Sequence, residues 1–280
     1  MTTLTERQRE TGMLAEALRG LRRRTGLSGK DFAAQLGWHA SRVSRIEHGR
    51  QIPTAADLRA WSALCQVSRS ESAELTGLLR RVEAEHRDWR RRMRQGQSSV
   101  QADYNQLVER SASVRHFEVA WVPGLVQTAA YARRVFREQV VLHGLDVHDE
   151  EAAVQTRLAR GRQLYNPAKR FEFLLAEPVL RWRTCPPEVL REQLAAMREI
   201  IVLPNIRFGV LPLDRPIATT PQNGFQIYDS VTVVETFSGE IFFSDGATAL
   251  YARTLDRLWD DALVGSELDA LLSASIASLE

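Results

Sequence analysis

The chain has 280 residues, of which 44% are hydrophobic and 26% are charged. This composition is typical of two folded domains and excludes wholesale disorder. The net charge of +2 is unevenly distributed, because residues 1–96 carry 19 basic and 11 acidic side chains, whereas residues 97–280 carry 18 and 24. The basic first part indicates a polyanion-binding module attached to a second domain, although a solvated basic face would give the same balance.

Two further features limit the class of protein. No run approaches the roughly 18 consecutive apolar residues of a membrane helix, and the first residues carry no apolar signal region. Cys65 and Cys185 stand far apart, without CxxC spacing, which excludes a zinc finger and argues against a disulfide framework. We therefore expect a soluble, cytoplasmic protein.

The first 94 residues have the pattern of five short helices joined by small connections. The predicted helices cover residues 8–24, 29–36, 40–48, 54–64 and about 70–94. Leu14, Leu18 and Leu21 recur at helical spacing in the first of them. Gly37 supplies the turn between the second and third, and Thr54 caps the fourth. This pattern predicts an all-α N-terminal domain.

The amino-acid pattern changes after residues 96–99, which are flexible and where we place a hinge. Residues 100–112 are predicted to form a linker helix. Beyond them, short β-branched or aromatic runs predict strands over residues 171–175, 206–211, 224–228, 231–237 and 240–243. Helices are predicted around residues 131–136 and over residues 150–164, 187–200, 250–259 and 261–272. Two-residue turns between the last three strands favour an antiparallel meander.

The predicted fold class is therefore α+β. A five-helix N-terminal domain over residues 1–95 is followed by a hinge and linker helix over residues 96–112. Residues 113–280 are predicted to form a mixed domain, with a small antiparallel sheet and flanking helices.

Residues 27–50 carry the motif with the clearest physical logic. The inward-facing side chains of its two helices are apolar, namely Phe32, Ala33, Leu36, Val43 and Ile46. The opposite face of the second helix carries Ala40, Ser41, Ser44 and Arg45. Small polar residues and one arginine on an exposed helix fit the major groove of DNA, which is about 12 Å wide.

The skeleton GLS…A…LG….VSRIE.G resembles the helix-turn-helix of phage repressors and of the wider Xre family, over residues 14–67. The resemblance implies binding to double-stranded DNA. It also implies that Arg22 pairs with Glu47 beside the DNA backbone, where the pair either orients the arginine towards a phosphate or simply ties the domain together. The chain departs from the family at Gly29 and Lys30, where members often carry Gln-Glu, so a common phosphate contact is missing at position 29.

The exposed polar residues of the motif divide by expected role. Arg45 is the predicted main base reader, because arginine can donate two hydrogen bonds to guanine. The predicted secondary readers are Ala40, Ser41 and Ser44, and the predicted phosphate contacts are Ser28, Lys30, Arg42 and Arg50, with His39 able to serve in either role or to remain solvated. The arginine-rich residues 87–94 fit either a nucleic-acid contact or a solvated helix end.

The second domain shows no catalytic constellation. No GxGxxG, P-loop or nucleophile elbow is present, so we expect no enzyme, no catalytic residue and no cofactor. His143 and His148 flank Asp146 and Asp149 in a loop, and we expect no metal there.

Residues 121–133 (WVPGLVQTAAYAR) resemble the VPGLLQT…YAR hallmark of an actinobacterial domain that follows Xre-type DNA-binding domains. Residues 107–115, 171–181 and 207–212, with Gln193 and Phe225, are similar to it as well. The resemblance implies Scr1-family, antitoxin-like regulators of the WhiJ type, with a small partner protein that is often encoded next door. Leu125, Gln127 and Tyr131 are then either part of a buried folding turn or a surface for a partner or ligand.

These patterns predict a sequence-specific transcriptional regulator that binds double-stranded DNA as a homodimer. We expect the mixed domain over residues 113–280 to supply dimerisation, and the resemblance implies that this domain binds a small partner protein, which modulates the regulator. One alternative is an antitoxin-like interaction protein whose main role is to bind its partner. The other is a regulator that senses a small molecule through the second domain.

Overall fold

The structure is a computed structural model that describes residues 4–49, 51–237 and 239–279. The chain divides into two compact units. The first comprises Met1–Arg90 with Thr236–Ala247, and the second comprises Arg91–Glu235 with Thr248–Glu280. Within the described ranges, no helix is long and apolar enough to cross a bilayer.

The first part of the chain forms the five predicted helices. They are α1 (Leu4–Arg24), α2 (Gly29–Gln35), α3 (Ala40–Glu47), α4 (Ala55–Leu64) and α5 (Arg69–Gln95). Side chains that accept hydrogen bonds from the first turn explain where three of the helices begin. Ser28 caps α2, His39 caps α3, and Thr54 forms a capping box with Asp57 on α4. The predicted all-α arrangement is confirmed.

The helices of the first unit enclose a core centred on Trp61. This side chain is fully buried, stands 4.8 Å from the ring of Phe32, and donates a hydrogen bond to Leu18 O at 3.1 Å. Val43 and Ile46 are buried in the same cluster, as the sequence pattern predicts. Each such side chain contributes about 1.5–3 kcal/mol of burial free energy, so the core fixes which face of α3 remains outside.

The helix α6 (Gln97–Arg110) follows Gly96, which has a φ of 136° that only glycine adopts without strain. Asp149 accepts a hydrogen bond from Ser98 N at 2.8 Å at the start of this helix. At its other end, the buried Lys169 ammonium donates to three backbone carbonyls, those of Val108, Glu109 and Ser111. A charged group from elsewhere in the chain thus satisfies carbonyls that the end of a helix leaves unpaired.

The sheet has six strands in the order β3-β2-β1-β4-β5-β6. The strands are β1 (Ser113–Glu118), β2 (Arg170–Ala176), β3 (Ile206–Leu211), β4 (Phe225–Tyr228), β5 (Val231–Thr236) and β6 (Gly239–Ser244). The pairs β1–β2 and β2–β3 are parallel, whereas β1–β4 and β4–β5 are antiparallel.

The α+β fold class is confirmed, but the sheet is mixed rather than antiparallel, since two of its four described strand pairs are parallel. Helices connect β1 to β2 and β2 to β3, and a crossover of that length returns the chain parallel to the preceding strand. The sequence patterns do not predict the strand β1 at all, although it lies at the centre of the sheet.

The remaining helices flank this sheet. They are α7 (Ala129–His143), α8 (Glu150–Gly161), α9 (Pro178–Arg181), α10 (Pro187–Ile201), α11 (Asp245–Trp259) and α12 (Gly265–Ala277). A 3-10 helix over Gly124–Val126 precedes α7, and a second one over Arg162–Tyr165 follows α8. Tyr104 of α6 donates a hydrogen bond to Glu235 of β5, and the guanidinium of Arg160 on α8 lies over the Tyr104 ring. These contacts place α6 and α8 over one face of the sheet.

Candidate functional site

The exposed face of α3 carries the side chains predicted to contact bases. Ala40, Ser41, Ser44 and Arg45 are exposed. Val43, by contrast, is buried in the core of the first unit. The alternation follows from helical periodicity, because residues three or four positions apart share a face.

Arg45 is held along this face by neutral hydrogen-bond acceptors. Its Nη1 donates to Ser41 Oγ at 3.1 Å, one helical turn earlier, and its Nε donates to Gln51 Oε1 at 3.1 Å. Within the described residues, no carboxylate forms an ion pair with Arg45. The guanidinium is therefore ordered at the surface by contacts that another neutral acceptor can replace.

His39 has a local role that the sequence analysis did not assign. Its Nδ1 accepts a hydrogen bond from Ser41 N at 3.3 Å and lies 2.9 Å from Ser41 Oγ, so the imidazole caps the N-terminus of α3. Its position directly before the predicted helix was the available indication, because N-cap residues stand there. The exposed ring fixes the start of the helix at the candidate DNA surface.

The predicted pair of Arg22 and Glu47 is present. The guanidinium donates to both carboxylate oxygens, at 2.5 and 3.0 Å, and to Leu27 O at 2.7 Å. Arg19 donates to the backbone carbonyl of Glu47 as well. The hydrogen bond with Glu47 raises the pKa of Arg22. The pair joins α1 to the C-terminal end of α3 and so positions the exposed helix.

Arg42 is engaged inside the unit, in contrast to Arg45. Its Nη2 donates to both oxygens of the buried Asp57 carboxylate, at 2.8 and 3.0 Å, and its guanidinium stacks 4.5 Å from the centre of the Trp38 ring. A phosphate contact by Arg42 would have to compete with this ion pair. The structure thus favours a role for Arg42 in joining α3 to α4.

The other predicted phosphate contacts lie around α2. Ser28 caps α2 by accepting from Asp31 N at 3.2 Å, and its hydroxyl donates to Asp31 Oδ2 at 2.6 Å. Lys30 is exposed on the first turn of the same helix. Arg50 lies outside the described residues. Lys30 is therefore the described cation of this group that is best placed to meet a phosphate from solvent.

Two family matches cover most of the chain. A helix-turn-helix domain matches residues 13–75, and the domain of unknown function DUF5753 matches residues 101–273. The chain belongs to the DUF5753 family. A helix-turn-helix domain ahead of the DUF5753 domain indicates a DNA-binding regulator. Searches of the curated proteins and of the solved structures found no match.

The predicted partner surface lies inside the DUF5753 domain. Leu125, Gln127 and Tyr131 are all buried, which excludes them from a surface that a protein partner could contact. The reason is that the 3-10 turn before α7 folds inward and Tyr131 follows in the first turn of that helix. Burial also raises the pKa of the Tyr131 hydroxyl. The turn and its polar side chains are therefore internal features.

Two buried glutamines hold this turn in place. Gln127 Nε2 donates to Val122 O at 2.7 Å, and Gln193 Nε2 donates to Val126 O at 2.8 Å. Gln193 Oε1 in addition accepts from Thr128 N at 2.7 Å. The polar ends of these side chains thus satisfy backbone groups that a turn leaves unpaired.

Behind the turn lies a set of polar side chains that are buried except for the half-buried Arg157, and the sequence analysis identified only Gln127 among them. We call it the polar cluster, and it comprises Gln101, His116, Gln127, Arg157 and Arg160. Arg157 donates to Gln127 Oε1 at 2.6 Å and to Gln101 Oε1 at 3.0 Å, and Arg160 donates to the same Gln101 oxygen at 3.2 Å. The members come from four separate segments, so no local spacing connects them.

A second layer of polar side chains borders the polar cluster on the sheet. Tyr104 and Gln226 both donate to Glu235 Oε1, at 3.1 and 2.8 Å, and Tyr228 donates to Gln226 Oε1 at 2.6 Å. Glu118 of β1 also lies here; burial, with the nearby charge of Glu235, raises its pKa well above the ordinary value. Part of the sheet face beneath α6 and α8 is thus polar.

Burial changes the acid–base properties of the polar cluster. Removal from water, assisted by the charge of Arg160, lowers the pKa of His116 to about 3. Removal from water and repulsion by Arg160 lower the pKa of Arg157 to about 9. Burial lowers the pKa of Arg160 too. His116 is therefore neutral at neutral pH, and the two guanidinium groups oppose each other's charge.

A metal site has no support in the described part of the chain, where no group of three or more His, Cys, Asp or Glu side chains is close enough to hold an ion. His148 Nε2 lies 3.5 Å from Asp146 Oδ1, and both side chains are exposed to solvent. Cys65 and Cys185 are free thiols. Partial burial raises the pKa of both thiols, which lowers their reactivity.

Proposed function

We propose that this protein is a sequence-specific transcriptional regulator that inserts α3 into the major groove of double-stranded DNA. The observation that carries the proposal is the exposed face of α3, on which Ser41, Ser44 and Arg45 point away from a well-packed core. Arg45 is the base reader in this proposal, because its present acceptors are neutral and guanine offers two acceptors in their place.

Contacts to the DNA backbone would orient the helix. Lys30 stands exposed on the first turn of α2, and the Arg22–Glu47 pair anchors the C-terminal end of α3 to α1. The basic balance of the first 96 residues supports approach to a polyanion. We assign no catalytic activity to the chain and place its action in the cytoplasm.

The test begins with selection of binding sites from a random duplex library by the purified full-length protein. On the selected site we expect Arg45→Ala to weaken binding by about 1–3 kcal/mol and to relax preference at one base position. Lys30→Ala is the matched control, since it removes a charge expected to meet phosphate. It should weaken binding about equally on all sequences and lower the slope of log K against log salt by about 1.

Two outcomes would contradict the assignment. An equal loss on all sequences for Arg45→Ala would make Arg45 a phosphate contact. Recovery of no preferred site, with binding that disappears steeply as salt rises, would leave only backbone contacts and refute sequence-specific binding.

We further propose that the protein acts as a homodimer, because one helix-turn-helix buries too little surface for high specificity. We also propose, on the resemblance to Scr1-family regulators of the WhiJ type, that a small neighbour-encoded protein modulates it through the DUF5753 domain. Co-expression with that neighbour, followed by size-exclusion chromatography, tests the partner directly.

A further inference from the structure

Two arginines project from α8 into the polar cluster. Arg157 and Arg160 lie three positions apart, so they share one face of the helix. A single oxygen, Gln101 Oε1, accepts hydrogen bonds from both guanidinium groups. Within the described ranges, neither arginine forms an ion pair with a carboxylate. This is an unusual arrangement, because arginines in protein interiors are normally paired with an acid.

Several hydrogen-bonding atoms of the polar cluster lack a protein partner. Arg160 is 7% exposed, and no acceptor among the described residues lies within hydrogen-bonding distance of its Nη1. His116 is 3% exposed, and neither of its ring nitrogens has a hydrogen-bond partner among the described residues. Unpaired polar atoms in the interior destabilise the folded protein, so their presence here indicates a functional role.

The acids of this region do not pair with the two arginines. Glu235 accepts hydrogen bonds from Tyr104 and Gln226. Glu118 also borders the polar cluster, and burial raises its pKa well above the ordinary value. Within the described residues, neither carboxylate forms an ion pair with Arg157 or Arg160. The two guanidinium groups therefore lack an acidic partner, which a bound anion would supply.

A glycine and two aromatic rings surround the guanidinium groups. A Cβ atom at Gly124 would lie 2.8 Å from Arg160 Nη2, so glycine leaves room for the guanidinium in its present position beside the turn. The Tyr104 ring lies 5.4 Å from the Arg160 guanidinium, and the Phe136 ring lies 4.2 Å from that of Arg157. Each guanidinium thus lies against an aromatic ring. A cation beside an aromatic surface suits a ligand that has an acidic group on an apolar body.

We propose that the polar cluster is a binding site for a small molecule that carries a carboxylate, which Arg157 and Arg160 hold with a further hydrogen bond from His116. A carboxylate supplies the acidic partner that the two arginines lack, and its two oxygens match the planar fork of a guanidinium. This inference goes beyond DNA binding. It rests on residues of the DUF5753 domain alone, and its test contains no DNA, so either proposal can fail without the other.

The test is thermal unfolding of the full-length protein in benzoate and in benzamide, at constant ionic strength. The two probes share an aromatic body and differ in charge. We expect benzoate to raise the Tm saturably, by about 2–4 °C at concentrations well above its Kd, and benzamide to leave the Tm unchanged.

Two variants in the polar cluster and one control variant outside it assign the effect. Arg160→Met should abolish the response to benzoate, and without ligand it should raise the Tm, because it replaces an uncompensated buried charge with an apolar side chain. Gln101 keeps its hydrogen bond from Arg157 in this variant. Arg162→Met makes the same chemical change on a less buried residue two positions away and should alter neither value. If Arg160→Met does not fold, Arg157→Gln is the substitute test, and we expect it to weaken benzoate binding at least tenfold.

Three results would overturn the proposal. The first is no benzoate response in the parent protein, together with a lower Tm for Arg160→Met, which would make Arg160 a structural residue. The second is a Tm response to benzoate that survives in both Arg160→Met and Arg157→Gln. The third is stronger stabilisation by inorganic phosphate than by benzoate through the same arginines, which would assign the site to phosphate rather than to carboxylates.

Discussion

Arginine side chains in this protein take different roles according to the acceptors around them. Arg22 and Arg42 each donate to both oxygens of a buried carboxylate, that of Glu47 or that of Asp57. Arg45 meets only neutral oxygens. A carboxylate holds a guanidinium more strongly than a hydroxyl or amide oxygen does, so Arg45 can exchange its partners for a base at the lowest cost of the three arginines. The hydrogen-bond partners of these arginines, rather than their residue type, thus favour Arg45 as the proposed base reader.

Buried His116 predicts a pH dependence of stability. Its pKa is about 3 in the folded protein, against an ordinary value of 6.5 in the unfolded chain. Between these values the unfolded chain binds more protons, so the free energy of unfolding falls as the pH falls through this window. The slope approaches about 1.4 kcal/mol per pH unit below pH 6. Urea denaturation at pH 7, 6 and 5 measures it.

The matched variant is His116→Phe, which removes the titrating group and keeps a ring between the edges of Phe173 and Tyr228. Carboxylates that titrate at lower pH contribute equally to both proteins. The difference in unfolding free energy between the two proteins should therefore change with pH by the slope above. A difference that stays constant from pH 7 to pH 5 would show that His116 becomes protonated without cost in the folded protein.

Sequence reasoning at this scale succeeded where contacts follow a familiar motif and failed where they join distant segments. The Arg22–Glu47 pair was predicted from position within the helix-turn-helix. The pair of Arg42 and Asp57 was not predicted, because nothing local distinguishes a surface arginine from one that reaches the next helix. The polar cluster has no periodicity, since its members come from two helices, a strand and a turn.

Among the elements, β1 shows why a central strand can be hidden in a sequence. Its residues, SVRHFE, include three that titrate, so neither alternation nor a continuous apolar run predicts a strand. Arg115 is accommodated by ion pairs with Glu172 of β2 and with Asp256 of α11. His116 faces the polar cluster on the other side. Tertiary partners thus allow polar residues in a position that a propensity scale assigns to apolar ones.

The helices were predicted closely because their signals are local. Thr54 and Gly37 mark a start and a turn in the sequence itself, and the structure places them there. The parallel pairing of β1, β2 and β3 could not be predicted in the same way. Pairing depends on which segments the crossovers bring together, and hydrophobic patterns describe each strand without its neighbours.

The start of α6 provides a prediction at this scale. Gly96 has a positive φ, and a Cβ added there would lie 2.6 Å from Asp149 Oδ2. This carboxylate also holds the first turn of α6 through Ser98 N. Gly96→Ala should therefore lower the free energy of unfolding by about 1–3 kcal/mol, through strain and loss of this contact. Chemical denaturation of the full-length variant measures the loss.

Gly20→Ala is the matched control for this change. Gly20 lies in the interior of α1 and is exposed, and a Cβ atom added to it would meet no neighbouring atom within 4 Å. Alanine should stabilise the helix there by about 0.5–1 kcal/mol. Equal effects of the two substitutions would show that Gly96 is not required by its backbone conformation.

At the scale of the whole molecule, the basic and the acidic parts of the sequence carry different candidate sites. The first 96 residues carry a net charge of +8, and the remainder carries −6. The basic part contains the α3 surface, and the acidic part contains the polar cluster. A molecule organised in this way is suited to read DNA with one unit and to receive a signal with the other, which is the combination that the two proposals describe.

The proposed homodimer makes a geometric prediction that DNA alone can test. Two helix-turn-helix domains related by two-fold symmetry contact half-sites whose centres lie about 10–10.5 base pairs apart, or a multiple of that distance, on one face of the duplex. Insertion of five base pairs between the half-sites turns one of them to the opposite face. Affinity should then fall by about 100-fold or more, because the second contact no longer adds to the first.

Fluorescence anisotropy with three duplexes measures this effect: the selected site, a five-base-pair insertion and a ten-base-pair insertion. The ten-base-pair insertion is the control, since it lengthens the site and restores the helical face. We expect the longer insertion to bind more tightly than the shorter one, an order that only a two-site contact produces. If all three duplexes bind equally, each chain reads its half-site independently, and the protein regulates as a monomer.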